Sequence, residues 1–195
     1  MKESMRELIV RGLDRLEGER RRSIVEMDGF HRAGVLVALI PTEDGADLLL
    51  TKRTDHVETH KGQIALPGGM ADEADQNIVA TALRETREEL GIPAGRVQVK
   101  GLLDDLSVPP HFIVTPVVGL LASLPPLSVN SEEVAEVFTV PLAFFCDPAN
   151  GSTQEREFRG QKRQVWFFQY GEHLIWGATA LVVRSLLHRI GLLEP

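Results

Sequence analysis

The chain has one cysteine among 195 residues, Cys146, so it can form no intrachain disulfide. Positive charge is also scarce. Lys and Arg number 21 against 28 Asp and Glu, a formal net charge of −7. That balance argues against a nucleic-acid-binding surface. It leaves phosphorylated small molecules open, because a metal ion and local Arg or Lys can supply positive charge. Long hydrophobic runs are absent too; a stretch such as Gly34 to Ile40 is far too short to span a bilayer. No N-terminal stretch has the pattern of a signal peptide. No Gly/Ser linker, internal repeat or low-complexity tract divides the chain. These absences give the expectation of a soluble cytoplasmic protein with no membrane partner. At 43% hydrophobic content, residues 1–195 are expected to form one domain, with a helix and connection over 1–32 and a core over 33–190. Cys146, in PLAFFCD, reads as a buried small hydrophobe. A homodimer is left open.

Local patterns give a series of elements. Met5, Leu8, Ile9, Leu13 and Leu16 recur at helical spacing and predict a helix over Ser4–Leu16. The run Arg20-Arg21-Arg22 follows, as a solvated connection or a contact for an anionic group. Strands are expected over 33–40, 46–53, 97–103, 112–121 and 134–140. A late hairpin is expected from 155–158 and 164–169, and a closing helix over 176–190 with Leu181, Val182, Leu186 and Ile190 apolar. Strands around one acidic helix, with a helix closing the chain, make an α+β class.

The acidic helix is the informative element. It is expected over 77–90, with Ile78, Val79, Ala82, Leu83 and Leu90 as its buried side and Gly91 as its C-cap. Glu85, Glu88 and Glu89 stand at i, i+3 and i+4, so all three carboxylates share one face. Such repulsion destabilises a bare helix, and a hard divalent cation with oxygen ligands turns it into binding. Arg84 and Glu88 could also be an ordinary i,i+4 pair on a solvated helix.

With the preceding Pro67-Gly68-Gly69 turn, the segment resembles the Nudix box, G-x5-E-x7-R-E-U-x-E-E-x-G-U, where U is bulky and aliphatic. Arg84, Glu85, Glu88, Glu89, Gly91 and Ile92 fall in place. Thr86 stands where a bulky residue is expected, the spacing from Gly69 to Arg84 is one residue longer, and Asp75 lies near the first Glu position. The resemblance implies an α/β/α sandwich with a mixed β-sheet and the box helix at its centre. It also implies Mg²⁺ or Mn²⁺ as cofactor, held by Glu85, Glu88, Glu89 and the Gly69 carbonyl, with Arg84 in the catalytic group.

Upstream, Leu48 to Gly69 resembles the signature of the coenzyme A pyrophosphatase branch. Leu49, Leu50, Thr51, Arg53, Gly62, Pro67, Gly68 and Gly69 match; Thr54, Glu58 and Leu66 depart, and Glu58 reverses a charge. The similarity continues through GLLDDLSVPPHFIVTPVVG, EVAEVFTVPL and HLIWGATA. It implies hydrolysis of coenzyme A or an acyl derivative to 4′-phosphopantetheine and adenosine 3′,5′-bisphosphate. Other readings are another nucleoside diphosphate derivative, such as ADP-ribose or NADH, or a silent nucleotide-binding module.

Arg53 can clamp phosphate oxygens as a fork, beside the Gly68-Gly69 turn. A further carboxylate is expected as base or extra ligand, with Glu136 the first choice and Glu133 the second. His60 and His111 fall in loops near the site, as structural or substrate contacts. Phe112 and Trp176 read as core residues, although an aromatic such as Phe112 could stack on adenine.

Overall fold

The computed structural model describes residues 4–18, 22–56, 60–158 and 161–193. Arg20, Arg21 and Glu58 lie outside that set. Helix α1 (Met5–Gly18) is followed by β1 (His31–Pro41), β2 (Ala46–Arg53), β3 (Ile64–Ala65), β4 (Gly68–Met70) and α2 (Ile78–Leu90). Then come β5 (Val97–Leu102), β6 (Leu106–Val108), β7 (Phe112–Leu121), β8 (Val134–Pro141) and α3 (Leu142–Cys146). The chain closes with β9 (Gly151–Phe158), β10 (Gln161–Tyr170), β11 (His173–Trp176) and α4 (Gly177–Arg189).

β1 is the hub of a mixed sheet. It runs parallel to β7 on one side and antiparallel to β2 and β4 on the other. β5 and β6 extend the β7 side, while β3 and β8 pair with β2. A second, antiparallel sheet follows the order β11-β10-β9.

Strand alternation sorts the apolar residues between two faces. Leu36, Ala38, Leu49, Val117 and Leu121 face α2, packing with its Ala82 and Leu90. Val37, Leu39, Leu48, Leu50 and Val118 face the other way, onto Ile9, Leu13 and Leu16 of α1 and Val182, Val183, Leu186 and Leu187 of α4. Helices therefore cover both faces, which is the expected α+β sandwich. The small sheet adds Phe168 and Ile175 to the second core. Among the described residues, no helix is long and apolar enough to cross a membrane.

The contacts of α2 correct the expected pattern. Its buried residues are Thr81, Ala82, Thr86, Glu89 and Leu90, while Ile78, Val79 and Leu83 are only half-buried. The helix lies so close to β1 that small, self-satisfying side chains fit where large ones do not. A Cβ on Gly34 would lie 2.6 Å from the Ile78 carbonyl oxygen. Thr86 buries its hydroxyl by donating to the Ala82 carbonyl at 2.7 Å, so the missing aliphatic residue leaves no unsatisfied group.

Other expectations shift as well. Leu181 is 42% exposed, not a core residue. Trp176 ends β11 ahead of α4 and stacks on Phe167, with centroids 5.9 Å apart. Cys146 is half-buried rather than fully enclosed; its thiol donates to the Leu142 carbonyl at 3.4 Å, and burial pushes its pKa up.

Candidate functional site

Three segments converge at one end of α2. β4 brings Gly68 and Gly69 beside β1 through the pairs Val35–Gly68 and Gly34–Gly69. β2 ends there at Arg53. Helix α2 is started by Asn77, whose side chain accepts from the amides of Val79 and Ala80, and is stopped by Gly91 at φ 72. These caps set the register that turns Glu85 and Glu89 toward β4.

Glu89 is the most enclosed carboxylate of the three, with 4% of its side chain exposed. Its Oε2 accepts from the Gly68 amide at 3.0 Å, and its Oε1 lies 3.9 Å from Arg53 Nη1. Burial pushes its pKa up to about 7, against the Gly68 hydrogen bond and Arg53, while Glu133 and Glu85 add to the rise. Glu85 is raised by the same cause, opposed by Arg84 and reinforced by Glu88 and Glu133. Glu85 also touches the turn: a Cβ on Gly69 would lie 2.4 Å from its Oε2. Only glycine admits the carboxylate this close to β4.

Arg84 braces the group. Its Nη1 donates to Glu85 Oε1 at 2.8 Å and to Glu88 Oε2 at 3.1 Å. Its Nη2 donates to the Met70 carbonyl at 3.0 Å, and Nε and Nη2 together grip Asp75. Arg84 thus joins the acidic loop, β4 and the helix carboxylates, and it holds the Asp75 carboxyl well below the usual range.

Of the two candidates for a further carboxylate, the second choice, Glu133, is the one placed beside Glu85 and Glu89. Across the β2–β8 pair, Lys52 faces Glu136 and Arg53 faces Val134, with a bulge between them. Paired residues point to the same face, so Glu136 lies with Lys52 on the side away from α2. There it meets His173 Nε2 at 3.3 Å, and His173 stacks on Phe138. Glu133 instead lies close enough to Glu85 and Glu89 to raise both. Its carboxylate accepts from Asn130 Nδ2 at 3.0 Å, and its carbonyl accepts from the Thr54 amide at 3.0 Å.

The remaining candidates sit apart. Phe112 pairs with His31 in the β1–β7 register and tilts against its ring at 5.8 Å. His60, at φ 58, contacts Gln63, and His111 packs edge-on against Phe30.

Among the described residues, no three His, Cys, Asp or Glu side chains already enclose a cation position. The reason is local. Glu85 and Glu88 each lend an oxygen to Arg84, and Glu89 lends one to Gly68. The donor set still fits a hard divalent ion: carboxylate oxygens on one face, two of them in surroundings that disfavour an uncompensated anion. Arg53 Nε is buried without a partner, a donor left over for an anionic oxygen.

Residues 30–160 match the NUDIX domain family. The chain belongs to the Nudix hydrolase family. It is 41% identical over 163 residues to a protein of Photorhabdus laumondii described as uncharacterized Nudix hydrolase NudL, covering 84% of this chain and 87% of that one. A Yersinia pestis protein of the same description is 39% identical over 161 residues, covering 83% and 80%. A Nudix hydrolase structure from Alicyclobacillus acidocaldarius superposes with TM-score 0.57 at 16% identity, covering 83% of this chain and 92% of that one. A MutT/nudix family structure from Enterococcus faecalis gives TM-score 0.57 at 15% identity over 87% and 65%. These two likenesses show the fold. The family hydrolyses small nucleotide-derivative diphosphates and generally uses divalent metal.

Two supports of this Nudix site, Asn130 and Thr54, escape a reading for chemistry. Their one visible signal is Asn130 opening a turn just ahead of two glutamates, the habit of an Asx turn.

Proposed function

We propose that the protein is a coenzyme A pyrophosphatase, acting on coenzyme A or its acyl derivatives. The observation that carries this reading is the meeting of two motifs. Arg53, from the upstream signature, stands 3.9 Å from Glu89 of the box helix, over the Gly68-Gly69 turn that ends the signature.

Glu85, Glu88, Glu89 and the Gly69 carbonyl hold Mg²⁺ or Mn²⁺ in this reading. When bound, the ion neutralises diphosphate charge and acidifies a water molecule. Arg84 orients Glu85 and Glu88. Arg53 binds a diphosphate oxygen through its unpartnered Nε and its Nη groups. Glu133, not Glu136, takes the role of further carboxylate, accepting the proton of the attacking water. Water oxygen adds to one phosphorus and the bridging P–O bond breaks. The products are 4′-phosphopantetheine, or its acyl form, and adenosine 3′,5′-bisphosphate. Phe112, on the sheet face away from α2 and against His31, is given no part in holding the diphosphate. Residues 33–190 act as one catalytic unit with α1 packed against it.

The test is a product analysis with Mg²⁺ or Mn²⁺ and a panel of coenzyme A, acetyl-CoA, ADP-ribose, NADH and diadenosine polyphosphates. Coenzyme A or acetyl-CoA should be cleaved with the highest kcat/KM. Turnover of ADP-ribose or NADH about tenfold more efficient would remove the coenzyme A assignment and leave the Nudix chemistry intact.

A further inference from the structure

The last turn of any α-helix leaves carbonyl oxygens without intrahelical partners. In α2 two of these belong to Glu89 and Leu90, and the segment before β8 supplies both donors. The Ser128 amide donates to the Leu90 carbonyl at 3.0 Å, and the Asn130 amide donates to the Glu89 carbonyl at 2.8 Å. Asn130 then uses every other polar group it has. Its Oδ1 accepts from the Glu132 amide at 3.1 Å, closing an Asx turn, and its carbonyl accepts from Glu133 and Val134. Its Nδ2 donates to Glu133 Oε1 at 3.0 Å. Thr54, just past the end of β2, secures the same turn: its hydroxyl donates to the Glu132 carbonyl at 2.7 Å. One residue therefore bonds the main chain of one site glutamate and the side chain of another.

We propose that Asn130 is a positioning residue, fixing the Glu133 carboxylate relative to the last turn of α2 so that it faces the Glu85–Glu89 pair. The backbone half of this arrangement is a structural cap that many residues could provide. The Nδ2 donor is specific, because it aims one carboxylate oxygen and leaves the other for chemistry. Without it, Glu133 is a glutamate with free χ angles at a strand entrance. This inference rests on the hydrolase reading and on Glu133 acting in it, and it is independent of which diphosphate is the substrate.

Asn130→Asp is the discriminating change. Aspartate keeps an acceptor for the Glu132 amide, so the turn and the fold are preserved. It replaces the donor by an anion facing Glu133. With the best-cleaved substrate of the panel and saturating Mg²⁺, kcat should fall about tenfold or more, the scale of one hydrogen bond to a charged group. KM should stay within about threefold, since Asn130 touches no substrate in this assignment. Melting temperature, read in parallel, should change little. The decisive comparison is the double variant with Glu133→Gln. If Asn130 acts through Glu133, adding Asn130→Asp to Glu133→Gln costs no further activity. Multiplicative losses, wild-type kcat in Asn130→Asp, or an effect confined to KM would each overturn the proposal. Should coenzyme A prove a poor substrate, the same cycle run on the preferred diphosphate still decides it.

Discussion

Arg84 and Asp75 meet as two parallel hydrogen bonds, Nε to Oδ1 and Nη2 to Oδ2, both 3.0 Å. The pair ties the loop after β4 to the helix that carries the site glutamates. Lysine retains the charge but cannot form the fork or reach Glu85, Glu88 and Met70 together. Arg84→Lys is expected to lower kcat about tenfold to a hundredfold through misplaced carboxylates. The pair also has an acid limit. Asp75 is held below its usual pKa, so its contribution is complete above the unfolded value and is lost as pH falls through the folded one. Steady-state kinetics and an acid titration of the melting temperature check the two statements.

Glu89 runs the opposite way. Burial raises its carboxyl from 4.5 to about 7. Between those values the folded chain keeps a proton that the unfolded chain has released. Metal-free stability should therefore fall as pH rises through that window and level off above it. The shift corresponds to roughly 3 kcal/mol when fully expressed. Glu89→Gln retains the acceptor for Gly68 and removes the titration. The metal-free variant should match wild type below the unfolded value of 4.5 and melt higher at pH 8, while its turnover is nearly abolished. Divalent ion should stabilise wild type by mass action and stabilise the variant less. A wild type that melts no lower at pH 8 than the variant would contradict the assignment.

The long elements were legible because their signals are redundant. β1 and β2 are dense apolar runs, and α2 has caps at both ends and a period along its length. The short strands were not. β3 and β4 have two and three residues and exist through their partners, with Gly68 and Gly69 offering no strand preference. The helix carboxylates were readable because helical spacing alone puts them on one face. Glu133 against Glu136 was not, because that choice depends on β8 register and on a bulge near Ala135. The same limit hid Thr86: its position in the box was visible, but the closeness of α2 to β1 is a property of packing.

Asp105 is another buried charge that spacing could not reveal. Its side chain is fully enclosed and accepts from Arg22, Arg32, Thr115 and the Val25 amide. Burial alone would raise its carboxyl, and these donors more than reverse that, leaving it below the usual range. The network fastens the segment before β1 across β7. Asparagine has nearly the same shape but leaves two arginines without their anion. Asp105→Asn should cost about 3 kcal/mol or more, seen as a lower urea midpoint at an unchanged slope. A loss below about 0.5 kcal/mol would show that the arginines find other partners.

Arg53 is where binding and catalysis can be separated. Its guanidinium is mostly buried, it lies 3.9 Å from Glu89, and its Nε has no partner. A buried donor without an acceptor is costly, and a phosphate oxygen would relieve that cost when substrate arrives. In the proposed mechanism this contact would be made with the ground-state diphosphate as well as with the transition state. Losing it should therefore raise KM more than it lowers kcat. Arg53→Lys keeps a positive charge beside Glu89 and removes the fork, so KM should rise about tenfold with kcat within about threefold. Arg53→Met removes the charge as well. Glu89 then loses a group that lowers its pKa, and the metal-free fall in stability should extend to higher pH than in wild type. If Arg53→Lys instead lowers kcat at unchanged KM, Arg53 serves the transition state alone. If Arg53→Met leaves the pH window where it was, the 3.9 Å separation is too well solvated to couple the two groups.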